Sequence, residues 1–152
     1  MLNFSDDVVK WQLKHGRHDL PWQMNRTPYG VWVSEIMLQQ TQVGTAIKYF
    51  SQFMTVFPDV VSLARSTEDE VLSLWSGLGY YSRARNLLKS ARLLVEAHGG
   101  VVPSDYDVLI SLPGIGRSTA GAILALAYKK KYPILDGNVK RVLARVFRVD
   151  GP

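Results

Sequence analysis

Glu35 stands in the run Val31-Trp32-Val33-Ser34-Glu35-Ile36-Met37-Leu38, where every near neighbour except Ser34 is apolar. An ionised carboxylate on such a face is costly, so it either finds a cationic partner or titrates above its usual range. Arg26 and Lys48 are the partners the sequence offers for a buried salt bridge. A raised carboxyl pKa is instead what a general acid working near neutral pH requires. A second carboxylate, Asp136, lies in Ile134-Leu135-Asp136-Gly137-Asn138-Val139. It falls where a helix N-cap is expected, a position Asp takes for structural reasons alone, and Asn138 follows two residues on. Capping does not exclude chemistry. A proton-donating Glu35 and an anionic Asp136 are the pair that cleaves a glycosidic bond through an oxocarbenium-like state. The fold would have to bring these distant positions together.

Three further stretches carry recognisable chemistry. In L-P-G-I-G-R-S-T-A-G-A-I (112–123) a short helix ends, a turn with Gly114 and Gly116 follows, and a second helix opens near Arg117 and Ser118. Glycines allow close backbone approach there, and the free amides of the second helix can hold a phosphate. This is a helix-hairpin-helix pattern, which grips a nucleic-acid backbone without reading sequence. An ordinary tight helix–helix turn is the plainer alternative. In W-S-G-L-G-Y-Y-S-R-A-R-N (75–86) a glycine-flanked loop presents Leu78, Tyr80 and Tyr81 ahead of Arg83 and Arg85. Apolar and aromatic tips beside cations suit a wedge that opens a base stack and extrudes a nucleotide. Core packing at a helix start is the competing account of the tyrosines. Gln39, Gln40 and Gln42 add amides just beyond Glu35 that could fill the space left by an extruded base.

The elements that must position these residues are helical. Apolar residues recur at spacings of three and four, and strand-like alternation appears nowhere at length. The pattern predicts helices over 5–15, 28–39, 43–56, 59–65, 68–76, 82–98, 105–111, 117–128 and 137–149. Thr27 followed by Pro28 reads as a helix start, Thr67 with Glu70 and Ser104 with Asp107 as capping boxes, and Gly99-Gly100 as a helix stop. A chain of 152 residues, 47% hydrophobic, suffices for one compact core. The longest apolar run, 120–128, is too short to span a bilayer, and no secretory signal opens the chain. With no cysteine and three scattered histidines, disulfides and thiolate metal sites are excluded and a zinc site is not expected. Charge is uneven: residues 1–76 hold six Lys/Arg against eight Asp/Glu, residues 77–152 twelve against five. The basic half suggests a face for a polyanion.

In order along the chain, L-P-W-Q (20–23), V-W-V-S-E-I-M-L-Q-Q-T-Q (31–42), G-L-G-Y-Y-S-R-A-R-N (77–86), L-P-G-I-G-R-S-T-A (112–120) and L-D-G-N-V-K-R-V (135–142) resemble an adenine DNA glycosylase of the MutY type. The resemblance implies an all-α helix-hairpin-helix DNA glycosylase fold. A single multi-helix domain, 1–152, would have a six-helix barrel core and the hairpin at 105–128. It implies removal of adenine mispaired with 8-oxoguanine or guanine in double-stranded DNA. Glu35 would protonate the extruded adenine, Asp136 would stabilise or transiently bond the sugar cation, and Asn138 would support the site. Gln40 and Tyr80 would intercalate, Leu78 would lie near the damaged guanine, and Arg83, Gly114, Gly116, Arg117, Ser118 and Lys140 would contact DNA. The carbonyls of Ile110, Leu112 and Ile115 would hold a monovalent cation. Ser118 occupies the position where strand-cutting members of the superfamily carry a nucleophilic lysine, which implies a monofunctional enzyme. An endonuclease III-like glycosylase/lyase and an inactive DNA-binding helical module are the alternatives.

Relatives of that type continue into four cysteines around an iron–sulfur cluster and then into a C-terminal recognition domain. This sequence reaches Asp150-Gly151-Pro152 without a cysteine, so no cofactor is expected within it. The helix within 1–20 would then lack the part it packs on, leaving Val8, Trp11 and Leu13 exposed and able to drive self-association. An intracellular location on DNA, away from membranes, is the matching expectation.

Overall fold

The computed structural model describes residues 3–149, so the chain end at Asp150-Gly151-Pro152 lies outside the described residues. The described residues form helices α1 (Phe4–His15), α2 (Pro21–Met24), α3 (Pro28–Leu38), α4 (Val43–Val56), α5 (Val60–Arg65), α6 (Glu68–Trp75), α7 (Ser82–His98), α8 (Tyr106–Ser111), α9 (Arg117–Ala122) and α10 (Gly137–Phe147). No strand occurs among them.

Several ends follow from local chemistry. The Thr27 hydroxyl accepts from the Gly30 amide at the start of α3, with Pro28 at the first helical position. Thr67 and Glu70 close a reciprocal capping box on α6. Gly99 ends α7 in the left-handed conformation, φ 59°. One cap moves by a residue: α8 is capped by Asp105, whose carboxylate accepts from Val108 N at 3.0 Å, and not by Ser104 with Asp107. The short helix α2 is absent from the sequence reading because four residues cannot display a helical period. The stretch expected as one helix over 117–128 changes after Ala122 into a π-helical turn, Ile123–Ala127.

Helix α3 is apolar on all sides, and eight of its eleven residues are buried. A helix without a polar face belongs in the centre. It packs against α2, α4, α7 and α9. Trp32, Val33 and Met37 are fully enclosed, with Phe53, Leu63, Trp75, Leu109 and Leu124 in the same cluster. Glu35 is therefore carried by the most buried helix. At the periphery, α1 and α10 bury no residue. Phe4 and Phe147 meet edge to face at 5.3 Å, and Val8, Trp11 and Leu13 are exposed.

Candidate active site

Glu35 and Asp136 line the same cavity, of about 630 Å³. Its walls come from the last turn of α3 (Glu35, Leu38), the turn after it (Gln39, Gln40, Thr41), the start of α9 (Ser118, Thr119) and residues Ile134, Asp136, Gly137, Asn138 and Arg141. Burial, and after it the negative charge of Asp136, together raise the Glu35 carboxyl from 4.5 to about 7. No salt bridge relieves it: the one ion pair among the described residues is Arg85 with Glu68. Arg26 lines a smaller cavity of about 190 Å³ behind Glu35 without pairing with it. Asp136 caps α10, accepting from Val139 N at 2.8 Å, and remains exposed. Asn138 accepts from Arg141 Nη2 at 2.7 Å, which holds the amide at the cavity wall.

The segment that delivers Asp136 crosses α9 at Gly121. A Cβ on Gly121 would lie 2.7 Å from the Pro133 carbonyl oxygen. Since α10 buries nothing of its own, this crossing does much to fix where Asp136 stands.

The residues expected to form a wedge divide into three groups. Gln40 and Tyr80 are exposed and hold φ values of 56° and 48°, in the left-handed region that non-glycine residues seldom occupy. Leu78 turns the other way: Gly77 and Gly79, at φ 100° and 71°, fold it into the core, where it is 8% exposed. That replaces the expectation of a Leu78 side chain at the surface. Arg83 also departs from expectation. It is 9% exposed, and its guanidinium donates to the carbonyls of Ile36, Met37 and Gln39 on one side and Leu78, Gly79 and Tyr80 on the other. Those bonds leave it little capacity for a phosphate. Arg85, the other cation of that loop, is engaged by Glu68 at 2.7 Å.

In the hairpin, Leu112 and Ile115 are buried and anchor the turn, and Ser90 Oγ donates to the Pro113 carbonyl at 2.8 Å. Gly114 has φ 80°, and a Cβ there would lie 2.9 Å from Asn86 Cβ. Gly116 differs: its φ is −89° and a Cβ would meet nothing, so no contact among the described residues demands a glycine. Arg117, Ser118 and Lys140 line a second cavity, of about 350 Å³, with Tyr106 and Tyr132, whose rings stack at 5.3 Å. Ser118 borders both cavities. Among the described residues no group of three or more His, Asp or Glu is placed to hold a metal ion. In the turn, the Leu112 carbonyl accepts from Ile115 N at 3.1 Å and keeps its second lone pair, which is compatible with an oxygen-bound monovalent cation.

Sequence reasoning missed Thr41, Val43, Thr119, Ile134 and Arg141 as cavity residues. Arg141 alone had a signal, its i+3 spacing from Asn138 on one helix face.

The helical core, the hairpin and a two-carboxylate cavity together define a class, and residues 33–152 match the family described as "HhH-GPD superfamily base excision DNA repair protein". The chain belongs to that family. It is 56% identical over 148 residues to an adenine DNA glycosylase of Buchnera aphidicola subsp. Acyrthosiphon pisum, covering 97% of this chain and 42% of that protein. It is 47% identical over 152 residues to an adenine DNA glycosylase of Rattus norvegicus, covering 94% of this chain and 29% of that protein. The chain thus spans less than half the length of these relatives. Among solved structures it resembles a thermostable thymine-DNA glycosylase, with TM-score 0.86, 28% identity and 92% and 64% of the two chains covered. It also shares its fold with endonuclease III in a non-covalent DNA complex, with TM-score 0.84, 22% identity and coverages of 98% and 69%.

Proposed function

We propose that this chain carries the catalytic site of a monofunctional adenine DNA glycosylase, acting on adenine mispaired with 8-oxoguanine or guanine in double-stranded DNA. The observation that carries the reading is the shared cavity of Glu35 and Asp136, with Glu35 raised to about 7 by burial and by its neighbour's charge. Near neutral pH about half of the Glu35 population is then protonated and able to act as an acid.

In the proposed reaction the extruded adenine enters the cavity, whose volume is in the range of small-molecule sites. Glu35 gives its proton to a ring nitrogen of the base, N7. The C1′–N9 bond breaks with its electron pair passing to the base, which leaves neutral. Asp136 faces the cationic sugar and stabilises it, directly or through a transient bond, and Asn138 with Arg141 supports that wall. Water then adds to C1′ and its proton passes to the Glu35 carboxylate, which restores the acid and leaves an abasic site. Ser118, where strand-cutting members of the superfamily carry lysine, supplies no amine for a Schiff base. Gln40 and Tyr80 are the groups offered to the base stack. Arg117 and Lys140, beside the hairpin, are offered to the backbone. The carbonyls of Ile110, Leu112 and Ile115 would hold a monovalent cation, which when bound would add positive charge near a phosphate.

The test is single-turnover release of adenine from a duplex with one adenine opposite 8-oxoguanine, for the wild-type chain and Glu35→Gln. Release by the wild-type chain, lost by at least a hundredfold in the variant, is the expected result. Duplex binding without release by either protein would instead favour a DNA-binding helical module.

A further inference from the structure

Arg83 has five N–H donors and is buried, and it spends those donors on two separate stretches of backbone. Nη1 donates to the carbonyls of Ile36 at 3.0 Å and Met37 at 3.1 Å, and to Gln39, all at the C-terminal end of the helix that bears Glu35. Nη2 donates to Leu78 at 3.4 Å and Gly79 at 3.1 Å, and Nε to Tyr80 at 3.4 Å. Both Nη atoms also approach Thr41 Oγ1, at 3.4 and 3.5 Å. The guanidinium carbon lies 5.7 Å from the Tyr80 ring centre and 5.4 Å from that of Trp75.

These bonds converge on the two strained residues of the proposed wedge. Gln40 and Tyr80 each hold a positive φ without being glycine, a conformation that persists only where its surroundings over-determine it. Arg83 grips the carbonyl just before Gln40 and the hydroxyl just after it, and it takes the carbonyl of Tyr80 itself. The carbonyls left free where α3 ends would otherwise need water. Thr41 and Gly79 are both partly buried, so Arg83 occupies the seam between the two loops.

We propose that Arg83 is a positioning residue that ties the Gln40 turn, the Tyr80 loop and the end of the Glu35 helix into one rigid jaw, so that insertion beside the base and delivery of the base to Glu35 occur together. A lysine keeps the charge but offers one point donor and cannot bridge two arcs of carbonyls. This inference rests on the base-extruding function proposed above.

The experiment follows extrusion directly, with 2-aminopurine replacing the target adenine in the duplex. Fluorescence rise, duplex affinity, single-turnover release and thermal midpoint are compared for wild type and Arg83→Lys. The expected result is a variant that folds and binds duplex within about threefold of wild type. Its extrusion and release rates should fall together by tenfold or more, and the pH midpoint of release should stay near that of wild type, because Glu35 keeps its own surroundings. Unchanged extrusion in a folded Arg83→Lys overturns the proposal. If that variant does not fold, Thr41→Val removes only the hydroxyl between the two Nη atoms, and there too an unchanged extrusion rate overturns it. A wild-type chain that binds duplex without any fluorescence rise would sink the base-extruding function itself, a separate outcome.

Discussion

The Cβ that Gly121 lacks would stand 2.7 Å from the carbonyl oxygen of Pro133, three residues before Asp136. Helix α9 and the segment entering α10 touch backbone to backbone there. Their contact ties the Asp136 carboxylate to the hairpin helix, whose first turn also walls the cavity. The site is thus assembled from a buried helix, a hairpin helix and a peripheral segment laid across it.

Gly121→Ala should therefore act on chemistry more than on stability. The added methyl has to push the Pro133 carbonyl outward, and Asp136 moves with it. Since Pro133 and α10 are largely exposed, the body of the fold can tolerate the shift. The expected outcome is a single-turnover rate at least tenfold lower, consistent with the sensitivity of catalysis to displacements of about 1 Å, with the thermal midpoint lowered by only a few degrees. Kinetics alongside a thermal melt would check it, and an unchanged rate would show that the segment yields without moving Asp136.

The Glu35 titration predicts the pH dependence of the reaction. In the proposed reaction Glu35 acts only when protonated, so release should be level well below pH 7 and should fall by about tenfold per unit above it. A single-turnover profile between about pH 6 and pH 9 reads the midpoint directly. Asp136→Asn removes the like charge that helps to raise Glu35, so any residual activity in that variant should show a lower midpoint.

The same carboxyl makes the site unstable at high pH. Unfolded, it titrates near 4.5; folded, near 7. Between those values the folded chain holds the extra proton, so stability is greatest below the window and falls as pH rises through it. The loss has an upper bound of about 3 kcal/mol. Glu35→Gln cannot ionise and should be more stable than wild type by about 1–3 kcal/mol at pH 8, yet nearly equal to it at pH 4.5. Urea midpoints at the two pH values test the sign, and a variant less stable at pH 8 would contradict it.

What the sequence made legible was whatever depends on short-range chemistry. Thr27, Thr67, Gly99 and Asp136 announce helix ends because their side chains or left-handed backbones serve atoms a few residues away. The oddity of Glu35 was legible because a whole apolar helix surrounds it. Orientation was not. Arg83 follows a loop and opens a helix, so it could face either way, and only the carbonyls left free at the distant end of α3 decide the matter. Leu78 and Tyr80 sit two apart in a glycine-rich loop, where no period assigns a face. The π turn after Ala122 was equally hidden, because one extra residue per turn leaves an apolar stretch apolar. Helix α10 ends at Phe147, capped by Arg148 in the left-handed region without a glycine to mark it.

The two hairpin glycines should respond differently to alanine. Gly114 combines φ 80° with a 2.9 Å approach to Asn86 Cβ, so Gly114→Ala should cost about 1–3 kcal/mol and loosen the hairpin from α7. Gly116 lies in open space at φ −89°, and Gly116→Ala should cost about 1 kcal/mol or less, the penalty for alanine at an N-cap. If Gly116→Ala nevertheless weakens duplex binding, the space in front of it is used by the DNA. Denaturant midpoints and filter binding on both variants separate the two roles.

Cations left unpaired by the fold should govern salt dependence. Arg117 and Lys140 line the cavity beside the hairpin and form no ion pair among the described residues, whereas Arg85 is held by Glu68. Each phosphate contact contributes about 0.9 to the slope of log affinity against log salt. Arg117→Ala and Lys140→Ala should each lower that slope by about one and weaken matched and mismatched duplexes alike, because phosphate contacts carry no sequence information. Arg85→Ala should leave the slope unchanged. Titrations at several salt concentrations would decide it. An equal loss from all three variants would mean that diffuse positive charge grips the DNA, with no particular role for the hairpin face.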